Sequence, residues 1–201
     1  KEDRKAQALR TFERLIKMQP TLSEAHFNAG LILWEQGSVE EAKAAFDKAS
    51  KIGVKVADGL SLLAIEKLEA GNTAAATALF RQAIARDPFN APSNLNLAQS
   101  ARARGDSRGA RKFVRTALKQ NGKNPDAYAV LARVYYDDGR FELAKLVCQS
   151  GLELDDKAAR LHNTLGLIYL KEDDQRRAIR SFARAIKADA KFVAARLNLG
   201  A

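Results

Sequence analysis

Between Tyr128 and Leu152 the chain reads YAVLARVYYDDGRFELAKLVCQSGL, with apolar residues returning every three or four positions on both sides of a central Asp-Asp-Gly. That spacing predicts two amphipathic helices joined by a tight turn. The same pattern returns every 34 residues along nearly the whole sequence. One ladder of small residues runs through Ala8, Ala42, Ala76, Ala110, Ala144 and Ala178, and a second through Gly30, Ala64, Ala98, Ala132, Gly166 and Gly200. Self-similarity at such an interval is the signature of stacked supersecondary units.

Counted from Ser23, Ala57, Ala91, Pro125 and Ala159, each unit repeats its residue types at positions 7, 8 and 11 and again at 20, 24 and 27. Both sets have helical spacing. A glycine at position 15 separates them in Gly37, Gly71, Gly105 and Gly139, and Asp173 breaks that run. Small residues at 8 and 20 let two helix backbones approach closely, while larger ones at 7 and 24 fill the space beside them. Position 7 holds Leu63, Leu97, Leu131, Leu165 and Leu199, and position 24 holds Phe12, Phe46, Phe80 and Phe182.

With Tyr135 and Tyr169 at position 11 and Pro20 and Pro88 at position 32, these ladders resemble the tetratricopeptide repeat (TPR). The resemblance implies an all-α TPR solenoid of about 12 helices, a right-handed superhelix of antiparallel helix pairs. It spans residues 1–201 as one array: a half repeat 1–22, full repeats 23–56, 57–90, 91–124, 125–158 and 159–192, and a partial repeat 193–201. Departures fall at position 4 (His26, Leu60, Asn94, Tyr128, His162), at 7 in Ala29, at 11 in Lys67, and at 24 in Val114 and Cys148. Repeat three, with Ala101 at 11 and Val114 at 24, is expected to pack least tightly. The paired acids Asp137–Asp138 and Asp173–Asp174 fall at turns where they can cap the following helix.

The uncapped ends, with Val193, Leu197 and Leu199 lacking a second helix, suggest a segment of a longer array or end-to-end self-association. No apolar run approaches the roughly 18 residues that a membrane span requires. A single cysteine excludes an internal disulfide framework, and Cys148 reads as a small core residue. The net charge of +10 favours acidic partners.

The residue types needed for catalysis are not grouped. His26 and His162 both occupy position 4, four units apart, which gives no zinc spacing. There is no phosphate-binding glycine loop and no nucleophile with a placed base. The sequence therefore points to surface recognition without an enzyme activity, a metal or a cofactor.

By the resemblance, positions 2, 5, 6, 9, 12 and 13 of each first helix line a concave groove. The residues expected to meet a partner there are Phe27, Asn28, Leu31, Trp34 and Leu68, then Asn96, Arg102, Arg133 and Tyr136, then Arg160, Asn163 and Lys171. The apolar group around Trp34 fits either peptide side chains or ordinary packing between repeats. Asn28, Asn96 and Asn198 at position 6 form a partial version of the asparagine ladder of some peptide-binding TPR proteins, or a solvated wall. Arg102, Arg133, Arg160 and Lys171 suit an acidic segment, or carry solvated charge.

From Arg102 to Lys123 there are eight Lys or Arg against the single acid Asp106. Five of these cations lie on the second helix, whose outward face reads first as solvated charge; a basic outer surface binding nucleic acid or an acidic membrane surface is the competing reading, disfavoured for nucleic acid because only Phe113 is interleaved for base stacking. The stretch AKLVCQSGLELDDKAARLHNTLGLIYL and the alanine- and arginine-rich composition are similar to TPR proteins of bacterial envelope machines, including gliding-motility and pilus-assembly lipoproteins. That likeness implies a scaffold of a motility or secretion machine, in the periplasm or at the outer membrane, with the cytoplasm as the alternative.

Overall fold

A computed structural model describes residues 2–52 and 56–200. Among these the chain forms twelve α-helices and no strand: α1 (Glu2–Met18), α2 (Ser23–Glu35), α3 (Val39–Ile52), α4 (Val56–Glu69), α5 (Thr73–Arg86), α6 (Ala91–Ala103), α7 (Ser107–Gln120), α8 (Pro125–Asp137), α9 (Phe141–Leu154), α10 (Ala159–Lys171), α11 (Gln175–Ala188) and α12 (Val193–Gly200). Two compact units meet in sequence between Asp87 and Pro88. The first holds α1 to α5, the second α6 to α12.

In the first unit α2 pairs with α3 and α4 with α5, while α1 lies on α2. In the second the pairs are α6 with α7, α8 with α9 and α10 with α11. There α8 rests on the pair before it, α10 on α8 and α9, and α12 on α10 and α11. The turn within each pair needs one left-handed residue. Gly139 supplies it at φ 72°, and Asp173, where the glycine run breaks, adopts the same conformation at φ 57°.

The small rungs sit where the paired helices are closest. Ala42, Ala76, Ala110, Ala144 and Ala178 are wholly buried. Position 8 is fitted to position 24: a Cβ at Gly30 or Gly166 would overlap the ring of Phe46 or Phe182. Where the larger partner shrinks to Val114 or Cys148, position 8 becomes Ala98 or Ala132, both fully covered. Ala64, in the same repeat as Phe80, shows that the exchange is not obligatory. In repeat three Phe113 packs against two apolar clusters, one containing Val114 and the other Ala101, adding bulk where both ladder residues are small.

Position 4 has a purpose that its varied residues conceal. His26 Nε2, Asn94 Nδ2, Tyr128 Oη and His162 Nε2 each donate to a carbonyl six residues upstream, on Pro20, Pro88, Gly122 and Asp156, at 2.9, 2.9, 3.3 and 2.7 Å. A carbonyl can only accept, so both histidines carry the proton on Nε2. The bond ties each of these four turns to the helix that follows it.

Capping divides the paired acids. Asp106 and Asp174 accept from the backbone N–H groups of Gly109 and Arg177 and cap α7 and α11. Asp137 and Asp138 do not cap α9, whose N-terminal flank is Arg140 with no side-chain bond. Their carboxylates are taken by cations of repeat three: Arg102 on Asp137 and Arg111 on Asp138, each at 2.5 Å.

Candidate functional site

Positions 2, 5, 6 and 9 fall beside the buried stripe of each first helix, so in the second unit α6, α8, α10 and α12 present one shared face. On that face a cavity of about 260 Å³ is lined by Gln99 and Arg102, Arg133, and Arg160, Asn163 and Thr164. Four residues expected from the sequence, Arg102, Arg133, Arg160 and Asn163, thus meet at one place. Its volume falls below the range of about 300–1,000 Å³ that encloses a drug-sized ligand. A side chain or two of a longer ligand fits.

The electrostatics are those of a partly self-neutralised cluster. Asp137 is shared between Arg102 and Arg133, the second at 3.1 Å. The Arg133 guanidinium also lies 5.1 Å from the Tyr136 ring centroid, and that ring packs on Phe141. Tyr136 therefore orients Arg133 by a cation–π contact. Arg160 is held more loosely, 3.9 Å from an exposed Asp126. An exposed pair at that distance contributes little, so Arg160 is readily transferred to another carboxylate.

Amides complete the wall. Asn163 is buried, and its Oδ1 accepts from Asn198 Nδ2 at 2.9 Å. Asn96 donates to the carbonyl of Pro92 and lies outside the cavity lining, as does the exposed Lys171. Sequence reasoning passed over Ala129, Phe192 and Ala194, which supply apolar lining. Ala129 and Ala194 occupy groove positions 5 and 2, a signal that their small size masked. Phe192 ends an inter-repeat turn, where no groove position was assigned.

The expected residues of the first unit are placed differently. Phe27 packs against Phe46 with ring centroids 5.5 Å apart, and its ring fills the space where Gly59 on α4 lacks a side chain. It is wedged among α2, α3 and α4. Asn28, Leu31, Trp34 and Leu68 are half-buried, whereas Leu62, at position 6 of repeat two, is 69% exposed. Beside Trp34 on α2, Glu35 pairs with Lys5 of α1.

Within the basic run of repeat three, Arg102 and Arg111 are neutralised by repeat four. Arg111 and Arg140 lie 6.0 and 5.6 Å from the Tyr135 centroid. Among the described residues no group of three His, Cys, Asp or Glu is placed to hold a metal ion, and no helix is long and apolar enough to cross a membrane.

Family profiles described as Tetratricopeptide repeat match residues 1–53, 67–117, 101–168 and 159–192. No curated protein matches the sequence. Among solved structures the chain is similar to one in the APC/C hetero-tetramer Cut9–Hcn1, at TM-score 0.66 and 19% identity over 98% of this chain and 39% of that one. It thus spans about two fifths of that relative's length. YrrB, described as a TPR protein with an unusual peptide-binding site, aligns at TM-score 0.61 and 16% identity, covering 94% of this chain and 98% of its own. TTC0263, a thermophilic TPR protein of Thermus thermophilus, aligns at TM-score 0.62 and 20% identity, with 89% and 97% covered. Identities this low establish a common fold and nothing finer.

Proposed function

Because the chain belongs to the tetratricopeptide repeat family, we propose that it is a non-catalytic scaffold that holds partner proteins, and that the cavity of the second unit receives an acidic residue of an extended peptide. Repeat folds of this kind recognise partners through surfaces built from successive units. The observation that carries the finer reading is the meeting of Arg102, Arg133 and Arg160 with Asn163 and Thr164 around one small cavity. A ligand carboxylate entering it exchanges with Asp126 at Arg160, and gains a charge-assisted contact that the planar guanidinium can make with two bonds. Ala129, Val130, Phe192 and Ala194 supply the apolar surface beside that charge. Asn198, having donated to Asn163, keeps its own carbonyl oxygen for a peptide N–H.

A photo-crosslinking residue at Thr164, introduced in the source cell, should capture a protein. Arg160→Glu should reduce the yield at least about tenfold, since like charges facing across an interface cost several kcal/mol, with little change in Tm. Equal capture by the variant would refute the cavity as the site. The likeness to envelope TPR proteins leads us to propose a motility or secretion assembly as the setting. Capture of cytosolic partners alone would remove that setting and leave the scaffold role intact.

A further inference from the structure

A second recess lies between α11 and the turn that follows α9. Its larger part, about 660 Å³, includes Leu152, Lys157, His162, Arg184, Lys187 and Ala188. A smaller part of about 220 Å³ adds Tyr169, Arg177 and Arg180. His162 and Arg184 line both parts, so the two lie side by side along the helix.

The chemistry of its wall is one-sided. Arg177, Arg180, Arg184 and Lys187 are spaced three, four and three residues apart, which places them in one stripe about 15 Å long. Arg177 is engaged by Asp174 at 2.5 Å. Arg180 donates to the Arg176 carbonyl at 3.3 Å and lies within the electrostatic reach of Asp174; among the described residues no carboxylate forms an ion pair with Arg184, Lys187 or Lys157, and α11 contains no acid. Asp156 is the one acidic residue in the lining, and its backbone carbonyl takes the His162 proton donor. Leu152 and Ala188 add apolar surface beside the cations.

We propose that this recess is a second docking site, independent of the cavity on the first-helix face, for an acidic amphipathic helix of a partner protein. Carboxylates at the same three-four-three spacing meet the stripe on α11, and an apolar flank covers Leu152 and Ala188. Charge complementarity selects the acidic partner, and the apolar surface favours protein over a phosphate chain. Single-stranded nucleic acid needs an open aromatic face, but Lys145 and Arg177 already lie 5.8 and 4.9 Å from the Tyr169 centroid.

The test is fluorescence anisotropy with a labelled alanine-based peptide of about 15 residues, roughly 22 Å when helical, carrying Glu at the matching positions and Leu on one flank. The whole chain should bind it, and a Gln-for-Glu version at least about tenfold more weakly. Arg184→Glu with Lys187→Glu should abolish the difference, and the milder Arg184→Gln with Lys187→Gln should narrow it with the circular dichroism spectrum unchanged. Arg160→Glu should leave the affinity as it was, which separates this site from the other. Equal binding of the Gln peptide, no effect of the paired Gln variant, or tighter binding of a short DNA duplex or of phosphatidylserine vesicles than of the Glu peptide would overturn the proposal.

Discussion

Cys148 stands where Phe12, Phe46, Phe80 and Phe182 stand in other second helices, and it is completely buried with Ala132 in the same apolar cluster. Burial disfavours the thiolate and pushes the Cys148 thiol up to about 12. The unfolded chain loses this proton first, near the usual thiol value of about 8.5, so native stability falls as pH rises from there toward about 12 and is unaffected below. Labelling of the native protein with a thiol reagent at pH 8 should be at least about tenfold slower than in denaturant, because the thiolate is the reacting species; comparable rates would show the side chain to be open. The residue's burial was legible, since its place in the ladder fixes the face on which it falls. Position 4 was not, because His, Asn and Tyr share no property a periodic pattern records except the ability to donate a proton to a turn carbonyl.

Between one helix and the next, the turn chemistry decides how firmly each pair is joined. Asp106 caps α7 through the Gly109 N–H at 2.8 Å, and the same helix carries five cations and no acid. Asp106→Ala should destabilise the protein by about 1 kcal/mol, read as a lower urea midpoint at unchanged slope; a midpoint equal to that of the parent protein would show the cap to be idle. At α11 the Arg177 backbone and guanidinium donors hold the Asp174 carboxyl below the usual carboxylate range. The helix phase could be read from the 34-residue register, and with the family resemblance it put Arg102, Arg133, Arg160 and Asn163, which line one cavity, on a shared face, because a helix fixes direction once its phase is known. What Asp137 and Asp138 do could not. As turn acids they were equally fit to cap α9, and only the reach of Arg102 and Arg111 from a neighbouring pair assigns them.

Charge is divided very unequally between the two units. Residues 1–87 carry 13 Lys or Arg against 12 Asp or Glu, and residues 88–201 carry 21 against 12, so nearly all the excess of +10 belongs to the second. Both candidate docking sites lie in that unit. Expressed separately, residues 88–201 should stay helical by circular dichroism and leave a cation exchanger at clearly higher salt than residues 1–87; co-elution would mean that the cations are masked. The repeating fold was legible throughout because its small rungs are chemically distinctive, whereas the cavity needed cross-helix distances that periodicity does not contain. One property of the scaffold has a practical use. Gly139 turns through a left-handed conformation with open space where its side chain would be, so a reporter epitope spliced into that bend projects away from the packed helices, allowing the protein to be followed in cells.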